Sequence, residues 1–287
     1  MSIQSYTYYP GCTLHSSAKE YDVSARLVCE KLGIELRELE GWTCCGASSA
    51  HTTSQLLSIA LPALSLRAAE EAGLPLAVAC AMCFSRLKHT QHALADDSKR
   101  QLVSGLIGGE LRNSTRVVHL LEILRDASGD MPVSKPLEDM KVACYYGCLL
   151  VRPREVVCLD DEENPQIMDG LMRVLGADPV EWDFKTACCG ASLPLTRRDI
   201  VLRMSYRILH QARQLGADCV AVACPMCHSN LDAYQGEIER EYGEKLGLPV
   251  LYFTQLVGLA LGMSPKQLLL DKHFTDTLPI LKARRLA

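Results

Sequence analysis

Ten of the fourteen cysteines in this chain fall into one five-cysteine pattern that is written twice. The first copy is Cys12, the adjacent pair Cys44 and Cys45, then Cys80 and Cys83. The second is Cys148, the pair Cys188 and Cys189, then Cys224 and Cys227. The pair and the following CxxC are 34 residues apart in both copies, whereas the first cysteine precedes the pair by 31 residues in one copy and 39 in the other. Five thiols per copy exceed by one the set that a tetrahedral metal ion takes.

The flanking residues repeat as well. Tyr8-Tyr9-Pro10-Gly11-Cys12 corresponds to Cys144-Tyr145-Tyr146-Gly147-Cys148, and Cys44-Cys45-Gly46-Ala47-Ser48 recurs unchanged from Cys188 to Ser192. Val78-Ala79-Cys80-Ala81-Met82-Cys83 recurs as Val222-Ala223-Cys224-Pro225-Met226-Cys227. Two copies at so long a period indicate a duplicated domain rather than a solenoid. A chain of 287 residues accommodates two such domains, each of about 140 residues. The polar stretch 126–138, with Gly129, Pro132 and Pro136, predicts the joint. The domains expected are 1–130 and 131–287, the latter with a C-terminal extension.

Each half reads as an alternation of strands and helices. Strands are predicted over 6–9, 34–39 and 76–79 in the first half, and over 141–145, 179–182 and 219–223 in the second. Helices are predicted over 20–32, 54–72, 165–175 and 198–215, with Gly33, Gly73, Gly176 and Gly216 as stop signals. The fold class is therefore α/β, two pseudo-symmetric domains each built on a small parallel sheet flanked by helices. Ligands of such sheets gather beyond the carboxyl ends of the strands, which is where all three cysteine elements of each half fall.

Composition bounds the chemistry. A hydrophobic fraction of 48% with 22% charged residues describes an ordinary globular protein. A net charge of −4 argues against a nucleic-acid or anionic-membrane binder. No basic segment followed by an apolar run opens the chain, and no apolar stretch approaches the roughly 20 residues that span a bilayer. A cytoplasmic location without a membrane span is expected, and there cysteines read as metal, cluster or redox ligands before disulfides. Cys29 and Cys219 read as small buried hydrophobes, and Cys144 and Cys158 as structural.

A CxxC at a strand-to-helix turn meets free backbone N–H groups and the positive end of the helix dipole, which favour thiolate. Three uses of such thiols compete. Structural zinc leaves one thiol over in each half. Thiol–disulfide exchange needs only one CxxC and leaves the vicinal pair unexplained. An iron–sulfur cluster is favoured, although spacing does not give its geometry. No nucleotide fingerprint of the G-x-G-x-x-G or P-loop type is present, and no G-x-S-x-G, so electrons for redox chemistry must come from a partner. His51 and His228 are candidate proton donors, and Arg86, Arg152 and Lys185 candidate anion binders, each weighed against an ordinary structural or solvated role.

The arrangement of lone cysteine, Cys-Cys-Gly and CxxC resembles the CCG motif, and two copies in one chain resemble the B subunit of heterodisulfide reductase. The likeness extends from Tyr9-Pro10-Gly11-Cys12-Thr13-Leu14-His15 to the tail around Leu270-Asp271-Lys272-His273-Phe274. Related motifs occur in subunits of succinate:quinone and thiol:fumarate reductases and of lactate and glycolate oxidation systems. The resemblance implies two noncubane 4Fe-4S clusters, one held by Cys12, Cys44, Cys45, Cys80 and Cys83, the other by Cys148, Cys188, Cys189, Cys224 and Cys227. It implies a catalytic subunit that reductively cleaves a disulfide of the CoM-S-S-CoB type between the clusters. Expected partners are the ferredoxin-like C subunit and the flavin-containing A subunit of such a heterodisulfide reductase complex, with a small disulfide or sulfur carrier as substrate. The alternatives are a relative acting on another thiol or disulfide, an electron-transfer subunit with no catalytic site, and a zinc-stabilised scaffold.

Overall fold

The computed structural model of the chain describes residues 4–286. The first three residues, on which the reading of the chain's start partly rests, lie outside the described residues. Two four-stranded sheets, parallel throughout, carry the two copies of the repeat. The first comprises β1 (Gln4–Tyr9), β2 (Ile34–Glu38), β3 (Leu76–Val78) and β4 (Val117–His119), in the order β2-β1-β3-β4. The second comprises β5 (Lys141–Tyr145), β6 (Asp178–Pro179), β7 (Cys219–Val222) and β8 (Val250–Tyr252), in the order β6-β5-β7-β8. One order maps onto the other strand by strand. The central strands β3 and β7 are buried along their whole length, as expected where helices cover both faces of a parallel sheet.

Local signals explain most of the element boundaries. The helix Gln55–Ala72 begins at Ser54, whose hydroxyl accepts from the Leu57 N–H, and stops at Gly73 in the left-handed region. Its counterpart is the helix Arg198–Gln214. The fourth strand of each sheet, β4 or β8, falls outside the expected strands, because three residues are too few to carry a periodicity. Each runs straight into a helix, Leu120–Asp126 or Phe253–Ala260, whose Glu122 or Gln255 reaches back to the strand's last N–H.

Two other expectations need correction. The strand expected over 179–182 is confined to Asp178–Pro179, although the N–H groups of Asp178 and Val180 bond to the Met140 and Val142 carbonyls. Beyond it, Trp182 turns inward and its indole N–H donates to the Cys144 carbonyl at 3.1 Å. A short helix, Ala47–Thr53, follows the first cysteine pair, whereas the matching stretch 191–197 forms only turns.

The halves exchange packing helices. Helix Lys19–Lys31 of the first packs on Phe253–Ala260 of the second, and Leu120–Asp126 packs on Ile167–Val174. At the centre Tyr21 stacks on Tyr252 with ring centroids 4.1 Å apart and planes within 8°. The Tyr21 hydroxyl donates to the Ala79 carbonyl at 2.7 Å, at the edge of the first CxxC, and lies 3.4 Å from the Ala223 carbonyl at the edge of the second. Ser24 and Thr254 share a buried hydrogen bond of 2.7 Å nearby. Tyr21→Ala is expected to lower the free energy of unfolding by about 3–5 kcal/mol, the usual cost of emptying an aromatic core position. Tyr21→Phe should cost about 1 kcal/mol, the net value of the hydroxyl's hydrogen bond. Urea unfolding of both variants checks the ranking.

Candidate functional site

Each thiol set is assembled at the carboxyl ends of three strands. Gly11 and Gly147 follow β1 and β5 and place Cys12 and Cys148 in the first turns beyond them. The pairs Cys44–Cys45 and Cys188–Cys189 sit in loops after β2 and β6. Cys80 and Cys224 cap the helices Ala81–Ala93 and Pro225–Asp232, with Pro225 at the first helical position and Cys83 and Cys227 in the first turns. In the first set Cys44 Sγ lies 3.9 Å from Cys12 Sγ and Cys45 Sγ lies 3.4 Å from Cys83 Sγ. In the second, Cys189 Sγ lies 3.6 Å from Cys227 Sγ. All fourteen cysteines are free thiols.

The same devices hold both sets in place. The Tyr9 phenol donates to the Thr43 carbonyl and Tyr145 to Ala187, both at 2.6 Å, fixing the residue just before each vicinal pair. Gly46 and Gly190 follow the pairs with φ of 76° and 94°. A Cβ at Gly46 would lie 2.5 Å from Ala50 Cβ, and one at Gly190 would lie 2.8 Å from Val201 Cγ2, so both conformation and space demand glycine. The next residues, Ala47 and Ala191, are also left-handed, at φ 40° and 45°, an arrangement that costs alanine free energy and persists only under local constraint. This double left-handed turn aims the Ala47 N–H at Cys45 and the Ala191 N–H at Cys188 and Cys189.

Thiolate is accordingly favoured at Cys45, Cys188 and Cys189. A hydrogen bond from Cys44, then one from Cys83, lowers Cys45 to about 3. A hydrogen bond from Cys148 lowers Cys188 to about 6, and one from Cys227 lowers Cys189. The donors Cys44, Cys83, Cys148 and Cys227 are raised in return, chiefly because they give those bonds.

The two sets also touch. Cys80 and Cys224 are buried on either side of the seam between the halves, each perturbing the other's titration, and the Ala81 N–H donates to the Ala223 carbonyl at 3.3 Å. At the other end of the seam the hydroxyls of Ser48 and Ser192, each three residues past its pair, hydrogen-bond to one another. A narrow cavity of ≈ 20 Å³ lies beside this seam, with Met82 of the first half facing Cys148, Cys189 and Cys227 of the second.

The remaining candidates divide. His51 is exposed on the short helix after the first pair. His228 is buried, stacked on Tyr252, with Nε2 at 3.1 Å from the Val250 carbonyl and 2.7 Å from His273 Nδ1. Burial lowers it to about 4, so it is a neutral ring at neutral pH. Lys185 is not a surface anion binder: its ammonium is buried and pairs with the buried Asp169 at 2.9 Å. That pair anchors a carbonyl which receives the Tyr146 and Gly147 N–H groups, so Lys185 positions the backbone that carries Cys148. Arg152 is committed to Glu162, Thr186 and Glu163. Arg86 lies one turn past Cys83 on the helix Ala81–Ala93, with its Nε buried and without a hydrogen-bond partner. Cys29 is pushed up to about 12 by burial, and burial raises Cys144 and Cys219 too, while Cys158 is exposed.

Sequence reasoning missed the clamping role of Tyr9 and Tyr145, although their repetition was the available signal. It also missed Asn230, whose amide donates toward Cys189 from one turn beyond the second CxxC. His273 was named in the sequence only within the tail that carries the family likeness; that it reaches His228 is a contact no local pattern encodes.

Two duplicated α/β units, each gathering five thiols at the end of a parallel sheet and meeting thiol to thiol, define a duplicated cysteine-rich redox-type protein. The chain belongs to the CCG cysteine-rich domain family, which it matches over residues 6–88 and 142–232. It is 34% identical over 275 residues to the 8-methylmenaquinol:fumarate reductase membrane anchor subunit of Wolinella succinogenes, covering 94% of this chain and 97% of that protein. It is 28% identical to the B subunit of the ferredoxin/F(420)H(2)-dependent CoB-CoM heterodisulfide reductase of Methanosarcina acetivorans, over 95% and 94% of the two chains. It is 29% identical to the B subunit of the ferredoxin:CoB-CoM heterodisulfide reductase of Methanosarcina mazei, over 94% of each. A hypothetical protein from Helicobacter pylori of known crystal structure shares the fold, with a TM-score of 0.78 at 14% identity over 96% of this chain and 53% of that one. No helix among the described residues is long and apolar enough to cross a membrane.

Gly190→Ala is expected to destabilise the chain by about 1–3 kcal/mol, from the strained φ and the collision with Val201. The loss should be smaller for Gly73→Ala, which has a positive φ but open space around it. Thermal or urea unfolding of the two variants tests the difference.

Proposed function

We propose that each five-cysteine set holds one noncubane 4Fe-4S cluster and that the pair reductively cleaves a disulfide. The residues fit such a group. The sulfurs of each set lie together without disulfides, and backbone N–H groups and helix N-termini converge on them as they would on an anionic cluster. Cys12, Cys44, Cys45, Cys80 and Cys83 would hold one cluster, and Cys148, Cys188, Cys189, Cys224 and Cys227 the other. When bound, the clusters supply electrons one at a time. The overall reaction is RSSR′ + 2e⁻ + 2H⁺ → RSH + R′SH. The observation that carries this reading is the docking of the two CxxC turns, with the Ala81 N–H on the Ala223 carbonyl at 3.3 Å and the Tyr21 hydroxyl within 2.7 and 3.4 Å of the Ala79 and Ala223 carbonyls, which would bring two one-electron sites together where two sulfurs must be reduced.

The chain's own residues position and exclude. Tyr9 and Tyr145 fix the vicinal pairs, and Tyr21 and Tyr252 seal the seam against water. His228 orients the second CxxC helix against the tail through Val250 and His273 rather than delivering a proton, because burial keeps its ring neutral. Relatives named as the B subunit of heterodisulfide reductase support a CoM-S-S-CoB type substrate or another small disulfide or sulfur carrier. Their names also support a multi-subunit complex; a ferredoxin-like and a flavin-containing partner and a cytoplasmic location complete the proposal. We take residues 1–130 and 131–287 as the two domains; the backbone of Ser134 and Lys135 bonds to Ala260 of the second half.

A second reading is favoured by the relative named as a membrane anchor subunit of a fumarate reductase: a relay that passes electrons and has no catalytic site. One experiment tests both. Anaerobically purified chain should contain about eight irons and eight acid-labile sulfides, the content of two 4Fe-4S clusters. Given a low-potential reductant, it should cleave a small disulfide without other subunits. Two zincs and no sulfide contradict the cluster reading; full clusters without disulfide cleavage leave the relay.

A further inference from the structure

The two thiol sets are near copies, but they differ at one position that touches the vicinal pair. Three residues past the last cysteine of each CxxC, one helical turn on and on the same face, stands Arg86 in the first copy and Asn230 in the second. Asn230 is fully buried; its Nδ2 donates to the Ala191 carbonyl at 2.9 Å and the Cys189 carbonyl at 3.3 Å, and lies 3.5 Å from Cys189 Sγ. Arg86 stands one turn past Cys83, whose Sγ lies 3.4 Å from Cys45 Sγ, so its positive charge falls on the side of the first thiol set. Its Nε is buried without a hydrogen-bond partner, and no carboxylate pairs with it among the described residues. A buried guanidinium nitrogen without an acceptor is costly, and an anionic group on the first thiol set supplies what it lacks.

We infer that Arg86 makes the first cluster site the more easily reduced of the two, leaving the Asn230 site as the stronger reductant. The inference rests on the cluster reading above. Reduction adds negative charge, which a whole cation stabilises more than a neutral amide dipole does. Solvent acts in the same direction: Cys12 and Cys44 are exposed, whereas Cys148 and Cys188 are half-buried. Arg86 is thus a positioning residue for charge, acting through Cys45, and the duplicated sites are staggered in potential so that the first electron settles on the first site.

The test is an EPR-monitored redox titration of the anaerobically reconstituted full chain, with iron and sulfide measured first. A Cys189→Ala background, which leaves the first site intact, assigns the two midpoints. The first site should titrate at the higher potential. Arg86→Gln should lower that midpoint by at least a tenfold change in the reduced-to-oxidised ratio, about 59 mV for one electron. Arg86→Lys, which keeps the charge, should retain most of it. Asn230→Asp, near-isosteric with an added negative charge, should lower the second midpoint and leave the first in place. The inference is overturned by equal midpoints in the parent, by no fall in Arg86→Gln, by an equal fall in Arg86→Lys, or by an unmoved second midpoint in Asn230→Asp. A chain that takes up no iron contradicts the cluster reading itself.

Discussion

The contact between the two CxxC turns is the constraint on which the rest of the molecule depends. Cys80 meets Cys224 in a buried seam, the Ala81 N–H bonds to Ala223 across it, and Tyr21 closes over both. Backbone polar groups buried there must find partners, and they find them in the opposite half. The seam therefore has one register, set by hydrogen bonds as well as by the stacking of Tyr21 on Tyr252. Each half contributes a helix N-terminus to the same small volume, so two sources of positive potential converge where ten thiols gather.

Much of this was legible in the sequence. The repeated spacing gave the duplication, the strand–helix alternation gave parallel sheets, and parallel sheets place loops carrying Cys44, Cys45, Cys80 and Cys83 at one end. What escaped was whatever depends on three dimensions rather than on period. β4 and β8 are too short to show a pattern, and β6 gives way to a turn that carries Trp182 inward onto the Cys144 carbonyl. Lys185 read as a free cation because the partner that buries it, Asp169, lies sixteen residues away on another element. The pairing of Cys80 with Cys224 was illegible for the same reason, being a contact between halves whose docking no local signal encodes.

Duplication also explains where the two halves diverge. The clamps that define the thiol geometry, Tyr9 with Tyr145 and Gly46 with Gly190, are kept in both copies, since each set needs them equally. The residues that set charge and exposure are not kept: Arg86 stands against Asn230, and a helix after the first pair stands against turns after the second. A pair of sites held to one geometry but given different electrostatic surroundings is what sequential one-electron chemistry requires. The family hosts relatives named for disulfide reduction and for quinol-linked fumarate reduction, so the shared feature is the thiol scaffold and the substrate is decided around it.

The most direct measurement of the central claim is single-turnover disulfide cleavage by the anaerobically reduced chain, compared with Cys189→Ala. Iron analysis should show that the variant keeps one cluster. If both sites act on one disulfide, the variant should lose cleavage almost completely while its remaining cluster still accepts an electron. Cleavage at the parent rate with half the iron would contradict the account.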